Sequence, residues 1–311
     1  MEKVLQKIKK FFRRLYKLLA KSAEVWSEND PWTLSAAISY YTIISLPGLL
    51  VIIITVAGYF YGEKEIQGEI RGQFNELIGA ESASQIIKMI EKARLGANTV
   101  WATILGIGTL IFSATGVFAQ LQRALNQLWD LQVIPKKAML KLLITRLFSM
   151  GMILILGFLM LVSLVISSAI YFFSDALSDY LGMIGTYLFE VINIVFSLIV
   201  VAAVFALIFK VLPDAKVSWK KIWVGAFLTS ILFNIGKFLI GYYIGQSDPG
   251  STYGAAGSVI LILIWVAYSS LILLFGAAFT RVYAERKGDF IKTNEYAKRI
   301  NKVPVRPEEM E

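Results

Sequence analysis

Two ionisable side chains, Glu190 and Lys237, fall well inside long apolar stretches of this 311-residue chain. Asn193 follows Glu190 by three residues and Asn234 precedes Lys237 by three, so on helices each charge shares a face with an amide. Charge inside a bilayer is costly, and it marks a cavity, a partner or a cargo. A carboxylate, an ammonium and two amides can hold a polar headgroup, pass a proton or simply dock two helices as an ion pair. A second polar set combines Ser35, Ser39, Thr42 and Ser45 with a stripe through Thr109, Ser113, Gly116, Gln120, Arg123 and Gln127, at offsets of 0, 4, 7, 11, 14 and 18. Small and hydroxyl residues at this spacing are most often a helix packing seam. Gln120 and Arg123 are bulkier and suit a lined cavity better. The candidate substrate-binding residues are therefore Glu190, Asn193, Asn234, Lys237, Gln120, Arg123, Ser39 and Ser113.

Other chemistry is excluded by residue type. The chain has Cys 0 and His 0, which removes thiolate nucleophiles, histidine bases, disulfides and metal sites built on Cys or His. Outside the membrane its acidic residues offer no clustered ligand set of the kind a nuclease metal site needs. No catalytic residue, metal site or cofactor is expected.

The elements that must position the polar residues are membrane spans. Hydrophobic residues make up 57% and charged residues 17%, too little polar surface for a water-soluble globule of this length. A spanning helix needs roughly 20 mostly apolar residues, since lipid leaves its backbone no other hydrogen-bond partner. Six segments qualify: Leu34 to Tyr61, Val100 to Leu128, Leu147 to Phe173, Ile184 to Val211, Ile222 to Ile244 and Ser258 to Tyr283. The first is too long, and too far from residue 1, for a cleaved signal peptide. Of the 31 basic residues, 25 fall in the arm before Leu34, in Arg123–Arg146, in Lys210–Lys221 and in the tail from Arg281, while five fall in Gly62–Thr99. This alternation predicts both termini in the cytoplasm. It also places Glu190 and Lys237 at a common depth, each about seven or eight residues, or ~10–12 Å, below the outer ends of spans four and five.

The predicted fold class is all-α: six transmembrane helices plus amphipathic surface helices. Residues 1–30 read as a basic amphipathic helix on the inner leaflet, with Val4, Ile8, Phe11, Leu15 and Leu18 on one face. Residues 31–285 form the six-helix domain. Within it, 62–99 is an external amphipathic segment whose isoleucines, Ile66 and Ile70 then Ile86, Ile87 and Ile90, predict two short helices. Residues 286–311 read as a charged cytoplasmic tail that frays beyond its first turns. Pro47 and Gly48 interrupt span one, predicting a kink. Gly241-x-x-x-Gly245 offers a close-packing face, and the glycine-rich 245–257 link a re-entrant loop.

Three runs of residues together resemble the YihY/BrkB family of bacterial inner-membrane proteins, historically mislabelled ribonuclease BN. They are Leu34-Ser35-Ala36-Ala37-Ile38-Ser39-Tyr40-Tyr41 through Pro47, Leu212-Pro213-Asp214-Ala215 leading to Trp223-Val224-Gly225-Ala226, and Tyr253-Gly254-Ala255-Ala256-Gly257-Ser258 with Trp265 and Gly276-Ala277. The resemblance covers roughly residues 20 to 285 and implies six spans and a transport role. It also implies a Glu after Gly276-Ala277, where this chain has Ala278, and an aromatic at Ala267.

Residues and resemblance together suggest a transporter or flippase-like protein for an amphiphilic, lipid-like, anionic substrate. Its partners would be membrane lipids and that substrate, with no nucleic acid. A cation or proton antiporter and a non-transporting envelope scaffold are the alternatives. The cation of Lys237 favours an anion over Na⁺ or H₃O⁺ as cargo.

Overall fold

The computed structural model describes residues 2–78, 83–84, 86–88, 90–91, 100–134, 188–247, 257–286, 292–293 and 297–299, with isolated positions between 151 and 166. Helix α1 spans Glu2–Ser27 and buries Ser22 and Val25 while leaving Phe12 and Tyr16 exposed. On its polar side Lys21 donates to Glu24 at 2.7 Å. That bond holds the Lys21 ammonium above its ordinary range, so it keeps its charge at neutral pH. Asn29 folds back on the Val25 carbonyl at 2.7 Å, and Asp30 turns the chain through a left-handed conformation at φ 48. Asp30 then caps helix α2, Pro31–Tyr61, which carries proline at its start, where the missing N–H costs nothing.

Helix α2 continues through Pro47 for its full 31 residues. It stops at Gly62, whose φ of 91 suits glycine and whose N–H donates to the Gly58 carbonyl at 2.8 Å. Helix α3, Glu63–Ile78, follows directly. Its Ile66 and Ile70 pack with Ile86 and Ile90 of the next helical stretch against Leu50, Val51 and Ile54 of α2. The paired isoleucine pattern thus makes an apolar cap over one end of α2, as its spacing predicts.

Helix α4, Val100–Leu128, coincides with the second expected span. Helix α5, Leu188–Val211, helix α6, Trp219–Ser247, and helix α7, Gly257–Arg286, follow. Among the described residues four stretches are long and apolar enough to cross a membrane: Pro31–Thr55, Leu188–Val211, Trp219–Tyr242 and Val259–Arg286. The expected third span, Leu147 to Phe173, lies mostly outside the described residues, as does the 248–256 part of the expected re-entrant link. Helix α2 packs on α4 and α7, α6 on α7, and α1 on α7. The core they enclose includes Leu125, Leu128, Trp129, Phe209, Ile222 and Leu274.

Four short strands depart from the all-helical expectation. Strand β1, Leu131–Val133, pairs antiparallel with β4, Ala297–Arg299, and β2, Ala215–Lys216, with β3, Lys292–Thr293. Of the tail, Lys292–Thr293 and Ala297–Arg299 are thus tied to the links after α5 and α4, and the rest beyond Arg286 lies outside the described residues. Strands of two or three residues leave no periodic signal, and their partners lie far away in sequence.

Candidate functional site

The Glu190 and Lys237 constellation sits where α5 and α6 run antiparallel. Ser230 Oγ of α6 donates to the Leu198 carbonyl of α5 at 2.9 Å, which sets the two helices side by side at that point. Lys237 lies seven residues beyond Ser230 and Glu190 eight before Leu198, so the two sit at one depth to within about a helical turn. Two turns on from Ser230, Lys237 is also on the α6 face that looks toward α5. Asn234 is one turn from Ser230 and donates to its carbonyl at 2.9 Å. Glu190 and Lys237 are both exposed, and Asn193 and Asn234 are half-buried. Around them Val191, Ile194, Ile235 and Phe238 are exposed as well, the expected condition of a surface that lipid covers.

The second polar set is closed by contrast. Ser39 is 2% exposed and donates to the Ser35 carbonyl at 2.8 Å; Thr42 donates to the Ile38 carbonyl at 2.8 Å. Their hydroxyls serve their own helix, and the face they occupy is a packing seam. Gly116 of α4 completes it: a Cβ there would stand 3.1 Å from Ser45 Oγ and 3.7 Å from the Tyr41 ring. Gln120 is 8% exposed. Arg123 stays exposed, its guanidinium 5.7 Å from the Tyr41 ring centroid and its Nε donating to the Ala119 carbonyl at 3.4 Å. The side chain of Ser113 lies outside the described residues.

A third group, not singled out by the sequence reading, ties the basic links together. Asn126 donates to Asp214 Oδ2 at 2.8 Å and accepts the Asp214 N–H at 2.8 Å, with Gln122 Nε2 at 3.4 Å from the same carboxylate. Arg281 pairs with Asp130, which holds a left-handed conformation at φ 53, and also donates to the Leu128 carbonyl. Trp129 Nε1 donates to the Ala277 carbonyl at 3.1 Å, and Gln127 Nε2 to the Asn29 carbonyl at 3.3 Å. The spacing is visible in the sequence: Gln122 and Asn126 stand four residues apart on α4, and Asp130 follows four residues later in the turn that ends it. The stripe through Gln120, Arg123 and Gln127 runs along the neighbouring face and drew the reading away.

Close packing of α6 on α7 rests on a reciprocal pair. A Cβ at Gly225 would collide with Thr280, and one at Gly276 with Thr229. Each threonine hydroxyl returns to its own helix, Thr229 to the Gly225 carbonyl and Thr280 to the Gly276 carbonyl, both at 2.7 Å. Gly241, which begins the close-packing pattern expected from sequence, meets nothing within 4 Å. Ala277 and Ala278 are fully buried in the core of the bundle.

Long apolar helices packed on one another, with polar side chains gathered at one end, define a polytopic α-helical membrane protein. Residues 22–301 match the family model described as virulence factor BrkB, and the chain belongs to that family. It is similar to a UPF0761 membrane protein of Pseudoalteromonas atlantica, 24% identical over 282 residues that cover 86% of this chain and 88% of the relative. It is similar to the UPF0761 membrane protein NTHI0384 of Haemophilus influenzae, at 26% over 254 residues, 81% of this chain and 89% of the relative. A third relative, from Bacillus subtilis, carries the name ribonuclease-like protein YfkH and is 23% identical over 257 residues, 81% of this chain and 90% of its own. No solved structure matches the chain.

Proposed function

We propose that the chain carries an amphiphilic anion, a lipid or lipid-like molecule, across a bacterial inner membrane by exposing its two polar regions in turn. One observation carries this reading. Glu190 and Lys237 are open to the surface of the bundle, while Ser39 and Gln120 are sealed inside it. A scaffold whose polar residues served only as packing would have sealed both sets. An ammonium among exposed apolar side chains suits a headgroup whose acyl chains remain in the bilayer, and Glu190 at the same depth balances its charge once the headgroup leaves. Arg123, exposed beside the sealed seam, is placed to receive the headgroup at the basic end.

In this reading both termini are cytoplasmic, because 25 of 31 basic residues lie in four regions that alternate along the chain with the sparsely basic links. The bilayer lipids are its partners and nucleic acid is not. In the same reading the chain is no enzyme, since it has no histidine base and no clustered carboxylates outside the membrane for a nuclease metal site.

The test is reconstitution into liposomes carrying a fluorescent anionic lipid, with loss of signal to an impermeant quencher reporting translocation and a pH-sensitive dye read in parallel. Lys237→Met and Arg123→Ala should each slow translocation at least about tenfold, the kinetic equivalent of one lost charge-assisted contact. Translocation no faster than in protein-free liposomes contradicts the proposal. Cation-driven proton flux without lipid movement would make the protein an antiporter instead.

A further inference from the structure

The two ends of the bundle are held by different forces. At one end, α2, α3 and the helical stretch at 86–90 meet through aliphatic side chains, Leu50, Ile54, Ile66, Ile70, Ile86 and Ile90, which can slide without leaving a donor or acceptor stranded. At the basic end the ties are polar and directional. The Arg281–Asp130 ion pair, each side chain only 11% exposed, joins α7 to the exit of α4, and the Trp129 indole fixes the same two helices through the Ala277 carbonyl. Asn126 and Asp214 join α4 to the α5–α6 link, and Gln127 reaches the start of α2. Strands β3 and β4 then staple both links from outside. Ser39 lies about 12 Å inside this layer, eight residues along α2 from Pro31.

We propose that the basic end is a locked gate: the Asp130–Arg281 pair is its bolt, the β1–β4 strand pair its clasp, and both must release before the seam at Ser39 and Gln120 meets water or lipid headgroups. Breaking one partner of a nearly buried ion pair leaves the other charge uncompensated, so the closed state loses its advantage abruptly. The gate stands on contact geometry. Its purpose in carrying cargo rests on the transport proposal above.

The absence of native cysteine makes the test clean. Ser39→Cys is nearly isosteric, and in nanodiscs both ends of the protein face the reagent, so its rate of labelling by a polar maleimide reads opening directly. Labelling should be slow in the otherwise unaltered chain and at least about tenfold faster with Arg281→Gln, as expected if one charge-assisted contact holds the gate. Asp130→Asn, which keeps the side-chain shape, should do the same. A disulfide between Val133→Cys and Ala297→Cys, directly opposed in the β1–β4 ladder, should return the Arg281→Gln protein to slow labelling. Unchanged labelling with both Arg281→Gln and Asp130→Asn overturns the gate, and so does fast labelling that persists through the disulfide. Lipid translocation is not measured, so a failed transport proposal leaves the result readable.

Discussion

Thr229 and Thr280 show how much of this fold is decided by single side chains that no pattern announces. Each fills the space that a Cβ would need on the facing glycine and bonds its hydroxyl to its own backbone, so α6 and α7 approach closely without burying an unpaired donor. Glycine spacing in the sequence marks where a close approach is allowed. It does not reveal which face meets a neighbour, which is why Gly241 was legible as a candidate while Gly225 and Gly276 were the positions used. The expected outcome of Gly276→Ala is a loss of ~1–3 kcal/mol from overpacking. Gly241→Ala, in open space on an exposed helix face, should be neutral or stabilise by up to ~1 kcal/mol. Thermal unfolding of the purified protein in detergent checks both, and equal midpoints for the two variants would contradict the packing account. The charged site was legible in part: the matching depths of Glu190 and Lys237 follow from counting residues along two antiparallel spans. The Asp214 and Arg281 contacts were not, since they join residues about 90 and 150 positions apart in sequence.

At the level of elements, length and apolar content sufficed for α2, α5, α6 and α7. Helix α6 brackets the stretch read as Ile222 to Ile244, and α7 the stretch read as Ser258 to Tyr283. Helix α3 was equally legible, because Ile66 and Ile70 stand one turn apart and both are buried. That cap should matter energetically. Ile70→Ala removes a side chain that is 2% exposed and should cost ~2–4 kcal/mol, whereas Gln73→Ala on the exposed face of the same helix should stay within ~0.5 kcal/mol. A cap that merely rests on the bundle would instead leave the unfolding midpoint of Ile70→Ala unchanged. The strands lay beyond sequence reasoning for a physical reason. Two or three residues cannot display a period, and their stability comes wholly from the distant partner and the helices that deliver it.

For the whole molecule, the charge alternation is the sequence feature that travels furthest. It divides the chain into links of two kinds, and the structure brings Asn29, Gln127, Asp130, Asp214 and Arg281, all from the basic regions or their borders, into contact at one end. What charge counting leaves open is which polar region faces outward in a given state, because that depends on packing between helices. Opening of the two polar regions in turn is read by labelling from both sides of oriented proteoliposomes. With Glu190→Cys and Ser39→Cys in separate samples, an impermeant thiol reagent should reach position 190 from the side opposite the basic end while position 39 stays protected from both. Adding an anionic phospholipid to a zwitterionic bilayer should raise labelling at position 39 from the basic side and lower it at position 190. Labelling at the two positions that rises together, or does not respond to the anionic lipid, would contradict the account.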